Sequence, residues 1–468
     1  MPVSDVLPEL SVLVSAVVLL LAASFMRERD QWLAAPGALI GLTVAAAFCL
    51  AQLGEAPRLT FSGVWALDGA SIWARVIILA TAALSVLLTP EWLRSDRRHG
   101  EYYAILLLAT LGAMLLAGAA DLMQLIMAVL LSSVTGYTLA AYHRSWPLSV
   151  EAGMKYFLVG ALANTLLVLG VTLMFGLFAT TDYGELAART NDSPQWMTLV
   201  AFGLVVVGVA FKLAAVPAHT WMPDVAEGAP PPAAAFLTIA PKVGAAIALA
   251  RFVDLFPQQD IAWRAVVATI AVATMTIGNL GALAQNDVRR MLGWSSVSQS
   301  GYALMAVVVL GLDPYALPAL LFFLAGYAVA NLAAFGVVTQ LRGRTNLADY
   351  RGLATAHPLL AAALILSFLS LVGIPPLAGF VGKLALFVTT IESGYAWLAV
   401  VALVNTVVSL VYYLRVLAPV YFAEPARPMH TLGYWAATSV FLCALFTIAL
   451  GGLADPLWRM LSQATILP

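Results

Sequence analysis

The sequence predicts an all-α polytopic membrane protein of about fourteen transmembrane helices, two of them broken, arranged as two inverted repeats. Three observations carry this. Of 468 residues, 62% are hydrophobic and 10% charged, against roughly a quarter charged in a soluble domain. Apolar runs of about 20 residues, enough to cross about 30 Å of hydrocarbon, recur along the whole chain. Two of the runs are interrupted by Gly and Pro in corresponding positions of two halves, the pattern of an inverted-repeat transporter.

Cutting the runs at turn signals gives helices over 9–26, 34–53, 69–90, 101–119, 121–141, 153–178, 196–219, 230–254, 261–284, 292–311, 314–341, 357–390, 394–422 and 432–454. Residues 1–100 then hold helices 1 to 3, 101–255 the first repeat (helices 4 to 8), 256–423 the second (helices 9 to 13), and 424–468 the last helix. The first helix has the length of a signal segment. Its flank is acidic (Asp5, Glu9) and no small-residue cleavage pattern follows, so it is expected to be retained. Cys49 and Cys443 fall in apolar runs and are expected as small hydrophobes. Two cysteines cannot build an iron–sulfur cluster.

Alternate connections carry Arg27 and Arg29; Arg94, Arg97 and Arg98; Arg144; Arg289 and Arg290; Arg342, Arg344 and Arg351; and Arg427. The positive-inside rule places these in the cytoplasm. The intervening connections hold Glu55 and Asp68, then Asp182, Glu185 and Asp192, then Asp260, Asp313 and Glu392. Both termini are therefore expected on the non-cytoplasmic side.

The first broken helix precedes the stretch MPDVAEGAPPP. Lys212 lies in its apolar run, Pro217 interrupts it, and His219, Asp224 and Glu227 follow in an exposed polar connection before Lys242 enters the next apolar run. The second break holds Gly373-Ile374-Pro375-Pro376, followed by Lys383. Proline removes a backbone donor, and broken backbone at membrane depth is tolerated where it is buried in protein or lines a water-filled cavity. Lysine in a spanning segment is costly and marks function by default. An unperturbed lysine titrates near 10.4, and burial disfavours its charge, which suits it to exchange protons near neutral pH. Each lysine taken alone could instead snorkel or pair structurally; three on one chain, two beside breaks, favour a proton path.

His219 can either relay a proton between Lys212 and water or bond the carbonyls freed at the break. Glu151 and Lys155 have the spacing and order of a helical ion pair, structural or functional. Asp224 and Glu227 flank a rigid Gly/Pro connector and are expected to order it. Asp287, beside Arg289 and Arg290, reads as a salt-bridge group at a cytoplasmic helix end. Tyr412, Tyr413 and Arg415 read as an interfacial anchor. No Gly-rich strand–turn–helix fingerprint, P-loop or His/Cys metal spacing occurs, so no metal or cofactor site is expected in this chain and nothing points to nucleic acid.

Five stretches carry a resemblance. They are Glu101-Tyr102-Tyr103; EAGMKYFLVG from Glu151; AFKLAAVPAHTWMPDVAEGAPPPAAA from Ala210, with Ala240-Pro241-Lys242; GNLGALAQNDVRRMLGWSSVSQSGY from Gly278; and SLVGIPPLAGFVGK from Ser370, continuing to Asn405 and Tyr412-Tyr413-Leu414-Arg415. Over nearly its whole length the chain resembles the antiporter-like membrane subunits of respiratory complex I, a bacterial proton-translocating NADH:quinone oxidoreductase. The resemblance implies two inverted five-helix repeats with broken helices 7 and 12, and a proton path through Lys212, Lys242 and Lys383. It also implies the bacterial inner membrane, lateral contact with antiporter-like and small helical membrane subunits, and NADH, FMN, iron–sulfur clusters and quinone in other subunits.

One departure stands out. The family carries a helix-5 glutamate paired with the helix-7 lysine; aligned without gaps, this chain has Leu130 there. Asp121 cannot replace it, because nine residues of helix span about 13.5 Å. Three readings follow: a proton-translocating subunit with a retuned Lys212, a subunit of a multisubunit cation/proton antiporter, or a non-pumping structural subunit.

Overall fold

The computed structural model describes residues 2–96, 99–189, 194–256, 262–425 and 428–467. Arg97, Arg98, Asp192, Asp260 and Arg427, used above for orientation, lie outside the described residues. Helices α1 (Leu7–Phe25) and α2 (Ala34–Ala51) lead to a short hairpin, β1 (Arg58–Thr60) and β2 (Trp65–Leu67), then α3 (Gly69–Leu87). Next come α4 (Gly100–Ala117), α5 (Leu122–Ala140), the long α6 (Pro147–Phe178), a surface helix α7 (Tyr183–Arg189), and α8 (Gln195–Leu213) with α9 (Trp221–Gly228) across the first break. The middle of the chain is α10 (Pro231–Leu237), α11 (Ala240–Asp254), α12 (Trp263–Leu283), α13 (Val288–Val308) and α14 (Ala316–Gln340). It closes with α15 (Leu353–Ala356), the broken pair α16 (Pro358–Val372) and α17 (Ala378–Glu392), then α18 (Ala396–Phe422), α19 (Tyr434–Gly452) and α20 (Ala454–Leu461).

Twelve spans among the described residues are long and apolar enough to cross a membrane; with α13 and the interrupted α16–α17 pair they make fourteen crossings. The chain is a multi-pass membrane protein. Three local features differ from the sequence reading. The hairpin breaks the all-helical pattern, pairing Arg58 with Leu67 around a turn in which Phe61, Ser62 and Gly63 have positive φ. The connection holding Asp224 and Glu227 is helical, as α9. The eighth crossing is not continuous: Thr238 and Ile239 form a turn between α10 and α11.

Burial sorts the helices into layers. The Pro231–Asp254 crossing is buried along 100% of its apolar window and α14 along 89%, whereas α6 and α19 bury 33% and face outward. Helix starts are set by side chains: Asp68, Asp121 and Asp287 accept backbone N–H groups at the N-termini of α3, α5 and α13. Asp68 also pairs with Arg251 of α11 at 2.8 Å, both side chains fully buried, and Leu467 contributes its N–H to Asp68 and its carbonyl to Arg251. The backbone of Leu467 is thereby tied to a buried ion pair.

The repeat is visible residue by residue. One sequence separation relates Gly112 to Gly278, Asp121 to Asp287 and Ser132 to Ser298. A Cβ on Gly112 would lie 2.7 Å from Ser132 N, and one on Gly278 2.5 Å from Ser298 N, so the two helix pairs pack through the same contact. Counted as crossings, α5 is the fifth and α13 the tenth, so they run in opposite directions across the membrane. Both breaks contain a cis X–Pro bond, Val216–Pro217 and Pro375–Pro376.

Candidate functional site

Lys212 lies in the last turn of α8 with a relative exposure of 0%. Its ammonium is 3.4 Å from Tyr156 Oη, the long end of hydrogen bonding, and lies 5.0 Å and 5.5 Å from the ring centroids of Phe211 and Tyr156. Tyr156 stacks on Trp221 of α9 at 3.9 Å, and the Trp221 indole donates to Phe211 O, so the two sides of the break hold each other. Among the described residues no carboxylate pairs with Lys212. Leu130 is 37% exposed, on the outward face of α5. The inward face of α5 presents Ser133, which accepts from Asn164, and Tyr137, whose ring packs edge-on against Tyr156.

Lys242 is held differently. Placed just after the Thr238–Ile239 turn, it donates to Ser296 O, to Ser296 Oγ at 2.6 Å and to Ser300 Oγ at 2.9 Å. Three ammonium hydrogens thus meet three neutral oxygens. Ser296 Oγ lies 2.8 Å from Tyr327 Oη, which donates to Thr238 O, so the carbonyl freed at the turn is also used. Ser300 Oγ lies 2.5 Å from Leu213 O, the carbonyl next to Lys212.

Lys383 sits in α17, past the second break. It donates to Leu371 O and Val372 O, each at 3.0 Å, which are carbonyls released where α16 ends, and lies 4.2 Å from the Tyr302 ring centroid. Gln299 also donates to Leu371 O at 3.0 Å. Gly373 ends α16 with φ +98°, and a Cβ there would come within 3.1 Å of Lys383 Cδ. Beyond Tyr302, whose hydroxyl lies 3.0 Å from Thr406 Oγ1, the buried groups Asn279, Asn405 and Tyr412 are hydrogen-bonded to one another.

Peripheral residues take simpler places. His219 lies nearly buried between the halves of the first broken helix, its ring 5.8 Å from that of Trp294, and no hydrogen bond joins it to Lys212. It is therefore enclosed, not displayed in an exposed connection. Lys155 pairs with Glu151 at 2.7 Å and with Asp224 at 3.3 Å, and Arg290 bonds both Asp224 and Glu227 at 2.6 Å. This network staples α9 to α6 and α13. Asp287 makes no ion pair among the described residues and instead caps α13 through Arg290 N. Tyr412 and Tyr413 are buried, not interfacial, bonding Asn279 and Ser295; Arg415 alone keeps the surface role, bonding Leu283 O and Asn286.

Residues 119–409 match the sequence family described as NADH:quinone oxidoreductase/Mrp antiporter, transmembrane part. The chain belongs to that family. The NADH-quinone oxidoreductase subunit N of Mycobacterium sp. (strain JLS) is 40% identical, over 96% of each chain. Subunit N 1 of Streptomyces griseus is 43% identical over 95% of this chain and 94% of its own. A chain of respiratory complex I from Thermus thermophilus, with bound aureothin, superposes with TM-score 0.84 at 31% identity, covering 98% of this chain and 100% of that one. The Mrp complex from Dietzia sp. DQ12-45-1b contains a chain with the same fold, TM-score 0.87 at 24% identity, covering 99% and 97%.

In this member of the family the link among the lysines is α13, which the sequence reading passed over. Ser296, Gln299, Ser300 and Tyr302 sit on this one helix and touch Lys242, the carbonyl beside Lys212, a carbonyl that holds Lys383, and Lys383 itself. The signal was present as GWSSVSQSGY, a polar run in a chain where nearly every other helix is apolar. Buried polar side chains at membrane depth require partners; Ser296 and Ser300 find Lys242, Ser300 also meets Leu213 O, Gln299 meets Leu371 O and Ser295 meets Tyr413.

Proposed function

We propose that this chain serves as the subunit-N-type membrane component of a proton-translocating NADH:quinone oxidoreductase, carrying protons along Lys212, Lys242 and Lys383 while electrons pass from NADH to quinone in partner subunits. The observation that carries this reading is the α13 oxygen ladder. It gives an ammonium at Lys242 three acceptors and reaches both broken helices, so the lysines belong to one polar system. Like charges repel strongly where the dielectric is low; a proton arriving at one lysine therefore favours release from the next. The route runs from entry at Lys212, from the arginine-rich side, through Lys242 to exit past Lys383, Tyr302 and Asn405. The partners are the neighbouring antiporter-like and small helical subunits, the location is the bacterial inner membrane, and both termini face away from the cytoplasm.

A second reading has an observation of its own: Lys212 has Tyr156 as its one hydrogen-bond partner and lacks a carboxylate among the described residues, so the first half-path would be inactive and the second alone would carry protons. One experiment separates the two. Proton uptake into sealed vesicles is measured on the intact complex carrying Lys212→Ala or Lys383→Ala, with electron transfer recorded in parallel. Loss of pumping in both supports the continuous path, loss in Lys383→Ala alone supports the shortened one, and loss in neither sinks proton conduction by this chain.

A further inference from the structure

A cavity of about 450 Å³ opens on the arginine-rich side, between the start of α6, the start of α10 and the loop after α14. Three arginines, Arg289, Arg342 and Arg344, are among the residues that line it. Arg289 is buried and donates to Ala226 O and Ala229 O; Arg342 reaches Ser95 Oγ at 3.3 Å and lies 4.9 Å from the Trp92 ring centroid; Arg344 donates to Asp349 O and to Pro428 O at 2.6 Å. All these acceptors are neutral. Among the described residues none of the three pairs with a carboxylate, and the one acid on the wall, Glu227, is already engaged by Arg290. The lining therefore carries three arginines against one glutamate, a net positive charge. Its mouth is apolar and aromatic, with Trp146 and Leu148 exposed beside Pro147 on the outward-facing helix α6.

We propose that this cavity binds the phosphate of an anionic phospholipid, with the acyl chains leaving over Trp146 and Leu148 along α6. Arginine forks suit phosphate oxygens, and basic pockets between transmembrane helices at the cytoplasmic side take anionic headgroups. The volume lies within the range of about 300 to 1,000 Å³ of small-molecule sites. The apolar rim formed by the exposed Trp146 and Leu148 favours a lipid over a soluble anion.

The test uses the intact complex, stripped of lipid and titrated in nanodiscs with phosphatidylglycerol, with phosphatidylcholine, and with inorganic phosphate alone. Wild type is expected to retain phosphatidylglycerol selectively through purification. Arg342→Gln with Arg344→Gln should bind it about thirtyfold more weakly, the equivalent of about 2 kcal/mol for two guanidinium groups. The lysine versions of the same two substitutions should recover part of that loss. Should the glutamine variant fail to assemble, Thr345→Trp fills the cavity with all three arginines intact and should likewise release the lipid. Equal retention by wild type and variants overturns the proposal. Displacement of the lipid by millimolar phosphate, or a neighbouring subunit's carboxylate found seated among the arginines, overturns it as well and assigns the site to that occupant.

Discussion

Ser300 joins Lys242 to the broken end of α8: its hydroxyl oxygen accepts from the ammonium at 2.9 Å and stands 2.5 Å from the carbonyl of Leu213. Removing that hydroxyl deprives Lys242 of one of its three oxygens and frees a buried carbonyl. A hydrogen bond to a charged group is worth about 1.5 to 3 kcal/mol, so Ser300→Ala should slow coupled proton transfer by about tenfold or more. Ser300→Thr, which keeps the oxygen, should recover most of it. Vesicle pumping normalised to electron transfer reads the difference, and wild-type pumping in the alanine variant would remove Ser300 from the path.

Gly373 should tolerate no side chain. Its φ of +98° strains any L-residue, and a Cβ would press on Lys383 Cδ at 3.1 Å. Gly373→Ala is expected to cost about 1 to 3 kcal/mol from backbone strain and to lower pumping by displacing Lys383. A thermal-shift measurement on the purified complex checks the first part. An unchanged transition would mean that the break can relax around a methyl group.

Arg251 and Asp68 form a pair with both side chains out of contact with solvent. Breaking such a pair from one side costs about 3 to 5 kcal/mol, because the remaining charge is left uncompensated. Arg251→Leu should therefore destabilise the subunit strongly, whereas Asp68→Asn with Arg251→Leu, which removes both charges, should cost less. Limited proteolysis near the C-terminus is the sensitive readout, since Leu467 is held by the same two side chains. Cleavage no faster than in wild type would show that the tail is held by other contacts.

His143 lies in the loop between α5 and α6, its Nε2 3.1 Å from Asp96 Oδ2. Burial lowers its pKa, outweighing the opposing pull of Asp96, and Arg342 and Arg289 add to the lowering. A histidine whose folded-state pKa lies below the unfolded value takes up its proton more readily when unfolded. Its contribution is thus intact above about 6.5 and is lost as pH falls through the folded-state value. Relative to His143→Gln, wild type should lose thermal stability on acidification below about pH 6.5 and run parallel to it above. Parallel curves throughout would show that His143 titrates as it does in the unfolded chain.

Much of the architecture was legible because hydropathy and proline report directly on crossing and breaking. The runs ending at Lys212 and beginning before Lys383 were placed from Pro217 and from Pro375-Pro376, and both breaks occur there. What escaped was orientation. Tyr412 and Tyr413 have the composition of an interfacial pair, yet they point inward because Asn279 and Ser295 offer buried partners. The serines of α13 carry no charge and no metal-ligand spacing, so their role depends on facing Lys242, which sequence spacing within one helix cannot reveal. The turn at Thr238 was passed over although Pro241 marks the start of α11, and its carbonyl is satisfied by Tyr327, far along the chain.

The separation that relates Asp121 to Asp287 also relates Met123, Met127, Leu130 and Val134 of α5 to Arg289, Gly293, Ser296 and Ser300 of α13. On α13 that stripe is buried, with Gly293 packed against Ala226 of α9 and the serines holding Lys242. On α5 the same stripe is bare. The face that α13 turns inward is thus repeated, on α5, along an outer surface. On that outer face methionines stand at the positions of Arg289 and Gly293, and Leu130 and Val134 at those of the two serines. A neighbour on this face would meet apolar side chains, with no counterpart of the hydroxyls that hold Lys242.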